Sequence, residues 1–145
     1  SLALNDVDGA LRHLDAALGI DPGYVPALIR LARIDHDDPK RGDFRATLQR
    51  IRAADGAAGE LALEDNIGLA ADYLLAGDTV RAREVTLRAI RQADARNVRR
   101  LPWGYTGANL LVLARQLNLE NVRPEILRFV YDQLDPEVQA QLGGR

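Results

Sequence analysis

His13 and His36 are the only imidazoles in the chain, and cysteine is absent. Zinc and iron sites draw on clustered His, Cys and carboxylate ligands. These two histidines lie apart with no ligand-spaced partner, so neither metal binding nor acid–base work is expected of them. The acidic cluster Asp35, Asp37 and Asp38 has the charge to hold a cation. It lacks the alternating oxygen ligands, glycine and closing glutamate of a calcium loop, and it reads as a solvated turn. The stretch Leu101-Pro102-Trp103-Gly104-Tyr105-Thr106-Gly107 sets two aromatics among glycines, as a ligand-stacking loop would. Packing of those rings against the end of the fold is the more ordinary use. No Ser/His/Asp set stands in a recognisable context, and no glycine-rich phosphate loop is present. No catalytic, cofactor-binding or metal-binding residue is therefore assigned, and no enzyme activity is expected of the chain by itself.

Composition narrows the partners. The chain has 145 residues, 47% hydrophobic and 28% charged, with a formal net charge of -2. It is long enough to bury a core as one domain, and the charge gives no pull towards nucleic acid or a membrane surface. No apolar run approaches a bilayer-spanning length, so no membrane span is expected. Arginine outnumbers lysine 18 to 1, a balance resembling proteins of GC-rich bacterial genomes, and a cytoplasmic location is favoured. The missing Met at position 1 suggests that the chain starts after processing, after a tag or inside a longer protein. Charge is uneven: residues 1–38 carry net -4 and residues 76–101 net +4. Arg81, Arg88 and Arg91 share one helix side, but no aromatic platform interleaves with them, which argues against nucleic acid. Pairing of the acidic and basic parts of two copies makes a homo-oligomer a candidate state.

The elements that would position these residues are helices. Sustained period-two alternation is absent, whereas apolar residues recur at helical spacing along the chain. Val7, Ala10, Leu11, Leu14, Ala17 and Leu18 mark one helix, preceded by a turn at Asn5-Asp6 and closed by Gly19. Ser1–Leu4 reads as the end of an earlier helix. After the Asp21-Pro22-Gly23 turn, Leu28, Leu31 and Ala32 mark a second helix. Phe44, Leu48, Ile51 and Ala54 mark a third, followed by a break at Gly56–Gly59. Leu63, Ile67, Ala70 and Leu74 mark a fourth, and Gly77-Asp78 turns the chain into a fifth with Ala82, Val85, Ala89 and Ile90. That helix is expected to fray between Asp94 and Asn97. Beyond the 101–107 loop come an apolar helix over Leu110–Leu117, a helix after Pro124, and a short last helix after Asp135-Pro136. Gly143-Gly144-Arg145 reads as a frayed end. The fold class is all-α.

Aligning the turns Asn5-Asp6, Gly42-Asp43 and Gly77-Asp78 exposes a repeat. Ala10, Thr47 and Ala82 fall in register, then Leu14, Ile51 and Thr86, then Ala17, Ala54 and Ala89, at offsets of 37 and 35 residues. The small residues let paired helices approach, and the bulky residue between them fills the gap. With Leu69, Ala70 and Tyr73 in the matching first helix, this pattern resembles the tetratricopeptide repeat (TPR) family. The motif is degenerate: Asp35 stands at the tyrosine position of the second repeat, and Asn66, Thr86 and Asp94 depart from it in the third.

The resemblance implies an α-α superhelix of antiparallel hairpins, TPR-like, in one helical-repeat domain over 1–145. Its repeats span about 1–23, 24–59 and 60–97, with a capping helix group over 103–142. It further implies a protein–protein interaction module that takes a protein or peptide segment, or a helix, in a concave groove lined by the first helices. The groove residues carried over are Ile29, Arg33, His36, Ile67, Ala71, Leu74 and Leu75. Lysine and asparagine are missing from these places, so a clamp for a peptide's terminal carboxylate is not expected, and a mixed groove with apolar patches is. The rival reading is an accessory TPR-like domain of a larger enzyme, such as a glycosyltransferase or hydroxylase, that positions its substrate.

Overall fold

The computed structural model describes the backbone of residues 4–54 and 60–143, and the side chains of all of these but 4–6 and 103–105. Every regular element among them is a helix: α1 (Leu4–Ile20), α2 (Val25–Asp37), α3 (Phe44–Ala54), α4 (Leu63–Leu75), α5 (Thr79–Gln92), α6 (Ala95–Arg99), α7 (Trp103–Gln116), α8 (Pro124–Asp132) and α9 (Pro136–Gln141). The chain divides into two compact units, Ser1–Leu61 and Ala62–Arg145.

In the first unit α2 packs on both α1 and α3. Asp21 makes the first corner: its carboxylate accepts the Gly23 amide at 3.1 Å and its carbonyl the Tyr24 amide at 3.0 Å. Pro26 then sits in the first turn of α2, where no intrahelical amide is needed. The α2–α3 interface buries Leu28, Ala32, Leu48 and Ile51. It also buries a polar pair: the Thr47 hydroxyl donates to the Asp35 carboxylate at 2.6 Å. Asp35 and Thr47, two departures from the family motif, thus satisfy each other. Their neighbour Gly42 is fixed by the same carboxylate, because a Cβ there would overlap Asp35. Arg41 adds a clasp, reaching Asp8 at 3.2 Å and Asp38 at 3.0 Å.

In the second unit α4 and α5 form the expected hairpin. Gly77 has φ 79°. The amides of Gly77 and Asp78 return to the carbonyls of Leu74 and Tyr73 at 3.0 and 2.9 Å, the double bond of a Schellman stop. Asp78 immediately caps α5 by accepting the Arg81 amide at 3.1 Å. Ala70, Ala82, Ala89 and Ile90 are completely buried. The Asn66 amide donates to Gln92 at 2.8 Å and its oxygen accepts from Arg88 at 3.2 Å, tying α4 to α5 by hydrogen bonds.

α7 packs against both α4 and α5, and α8 packs against α7. A following hairpin stacks on the one before it in this way in a helical solenoid. Two arginines lock the stack through carbonyls that helix ends leave free. Arg123 donates to Ile90 and Ala93 at 2.8 Å and to Arg91 at 3.2 Å, closing α5. Arg83 donates to the Leu117 carbonyl at the end of α7. Asn118, at φ 58°, stops α7 as Gly77 stops α4, with the Leu119 amide on the Ala114 carbonyl at 2.8 Å.

Several local expectations change. Asn5-Asp6 is helical backbone within α1, so the first of the three aligned turns is not a turn. Gly19 lies inside α1, which runs on to Ile20. The segment 94–97 is ordered: Asp94 and Asn97 exchange side chain-to-amide bonds, both at 2.8 Å, and nucleate α6. The loop expected over 101–107 is helical from Trp103 onward. Residues 1–3, the break at 56–59 and the end at 144–145 lie outside the described residues.

Candidate functional site

The residues that the repeat pattern assigns to a groove fall on α2 in the first unit and α4 in the second. On α2, Ile29 is buried at 4% exposure. Arg33 is exposed and lies 3.6 Å from the Asp37 carboxylate. His36 is half-buried, its Nδ1 3.3 Å from Asp37 and its ring edge-on to Phe44 with centroids 5.1 Å apart. Arg33 and His36 thus share one acid on the outer side of α2. On α4, Ile67 is buried at 1% exposure, Ala71 and Leu74 are half-buried, and Leu75 is exposed. One turn spacing links Glu64, Gly68, Ala71 and Leu75, the least buried line along α4. The two isoleucines belong to the buried set, while Arg33, Ala71 and Leu75 carry accessible surface.

The other candidates disperse. Asp35 is buried on Thr47, Asp37 faces Arg33 and Asp38 faces Arg41, so the three carboxylates do not converge. His13 is exposed on α1. Among the described residues no cluster of His, Asp and Glu is arranged to hold a metal. The side chains of Trp103 and Tyr105 lie outside the described residues. The arginine row of α5 is partly committed within the molecule. Arg81 binds Asp78 at 2.8 Å, a hydrogen bond and charge contact that raise its pKa above the usual guanidinium value, and Arg88 binds Asn66 at 3.2 Å.

A feature that helical periodicity did not reveal is a pocket of about 240 Å³ where α6, the first turns of α7 and the end of α8 meet. Gly107 shapes it. A Cβ on Gly107 would stand 3.2 Å from both Val130 and Leu134, so the absent side chain lets α7 close on α8. The signal in the sequence was the glycine itself, there read as part of a loop. No described helix is long and apolar enough to cross a membrane.

Residues 1–63 match a family model described as tetratricopeptide repeat. No curated protein and no solved structure gives a match. The match covers the first unit and stops where the second begins, although the α4–α5 hairpin carries the cleaner motif. A repeat motif over α1–α3, and an all-helical second unit in which α7 and α8 stack on a tight hairpin, point the same way: residues 1–63 are similar to tetratricopeptide repeats, and the fold of the chain is TPR-like.

Proposed function

We propose that the chain is a non-enzymatic interaction module that holds a peptide or helix against the first helices of its repeats. A helical repeat of this family is, as a class, a protein-interaction module, and the match over residues 1–63 supports that class. The observation that carries the finer reading is the outer line of α4. Gly68 and Ala71 are small and half-buried, and Leu75 offers an exposed apolar anchor, 40% accessible. A small–small–large line of this kind suits the apolar stripe of an amphipathic helix. Arg33 and His36 on α2 supply polar contacts in the first unit, and Leu74 flanks Leu75 in the second. Ile29 and Ile67 support their helices from within.

Panning a phage-displayed library of helical peptides against the purified chain tests this reading. Selected peptides should bind wild type and lose affinity at least about tenfold, about 1.4 kcal/mol, with Leu75→Glu. Arg33→Glu should weaken those that contact the first unit. Peptides that bind both variants as well as wild type would sink the groove assignment.

A further inference from the structure

We propose that the pocket between α6, α7 and α8 is a binding site for a small zwitterion, a free aliphatic α-amino acid. The proposal goes beyond the groove reading and uses none of its residues. The wall of the pocket carries one cation, Arg99, and one anion, Asp135. Both are exposed, and among the described residues the two do not pair with each other or with any other ion. The Arg99 guanidinium lies 5.2 Å from the centre of the Phe129 ring. Asp135 stands at the N-cap of α9 yet makes no side-chain capping bond. Opposite charges on one wall that stay apart leave space for a molecule bearing both complements.

A free amino acid has them. Its carboxylate matches the fork of a guanidinium, and its ammonium donates to a carboxylate. Gln133, on the same wall, offers one acceptor and two donors for the polar groups that remain. Leu101, Val130 and Leu134 also line the pocket, which gives an aliphatic side chain a contact that a second charged one would lack. The pocket has a volume of about 240 Å³. That is below the ~300 Å³ at which pockets for larger organic ligands begin and in keeping with a single amino acid.

Calorimetric titration of the full chain with L-leucine tests the site, with isocaproate, which lacks the ammonium, and isoamylamine, which lacks the carboxylate, as comparators. Leucine should bind saturably in the millimolar range, and each comparator at least about tenfold more weakly, about 1.4 kcal/mol. Arg99→Gln and Asp135→Asn should each weaken leucine by a similar factor, while Arg99→Lys keeps part of the affinity. Both positions are on the surface, and circular dichroism checks that the variants remain helical. Amide shifts in nitrogen-15 spectra should move at Gly107, Gln133 and Leu134. The proposal is overturned if wild type shows no saturable binding of leucine, if the comparators bind equally well, if both charge-removing variants bind as wild type, or if the shifts fall elsewhere.

Discussion

Gly42, Asp35 and Thr47 act as one unit. The carboxylate of Asp35 fills the place that a side chain on Gly42 would need, and the Thr47 hydroxyl is its hydrogen-bond donor. Gly42→Ala should therefore destabilise the fold by about 1–3 kcal/mol through overpacking, read as a lowered urea midpoint. Thr47→Val should cost about 1–3 kcal/mol by leaving a buried acceptor unmet. Combining Gly42→Ala with Asp35→Ala should cost less than the sum of the single changes, since the second removes the group with which the first collides; strict additivity would contradict the contact. Gly77 is a different case. Nothing lies within 4 Å of a Cβ built there, so Gly77→Ala should cost about 1–2 kcal/mol for the left-handed backbone alone, and Gly77→Asn less. The motif made Gly77 and Ala82 legible as residues. It could not say that Asp35 and Thr47 compensate each other, because that requires two helices to be brought together.

At the scale of elements, helix ends carry much of the specification. Arg123 donates to three carbonyls at the end of α5. Hydrogen bonds to a charged group are worth about 1.5–3 kcal/mol when buried, and this side chain is only partly so. Arg123→Ala should lower stability by about 1–2 kcal/mol in chemical denaturation, and an unchanged midpoint would remove the clasp from the account. Ala82→Trp or Ala89→Trp should be at least as damaging, about 1–3 kcal/mol or more, because both alanines are completely buried. The α4–α5 hairpin was legible because its stop and start signals, Gly77 and Asp78, adjoin. The helix α6 was missed because its 5 residues are too few to show a period. The start of α7 was missed because glycine and aromatics imitate a loop until a partner helix, here α8, gives Gly107 a packing reason.

For the whole molecule, protection should follow burial. Ala70 in α4, Ala82 and Ile90 in α5 and Leu110 in α7 are fully buried, whereas α9 has 6 residues and one buried side chain. Amide exchange should therefore be slowest in α4, α5 and α7 and fast in α9. If α9 proved as protected as α5, the picture of α4, α5 and α7 as the centre of the second unit would fail. The family match falls on residues 1–63, while the second unit keeps the hairpin geometry beyond the matched residues. A helical hairpin stack requires small residues at crossings and bulky ones between them, and many sequences meet that condition.

The sequence by itself determined the fold class, the α4–α5 turn, the small residues of its interface and the kinship with helical repeats. Those features are local or periodic, set by backbone preferences and one-helix spacing. Tertiary structure alone decided which face of each first helix stays accessible. Ile29 and Leu75 carry the same apolar signal, yet one is buried and the other exposed. It also decided where Arg99 and Asp135, 36 residues apart in sequence, come to share a pocket, since only packing of α6 and α7 against α8 brings their wall into being.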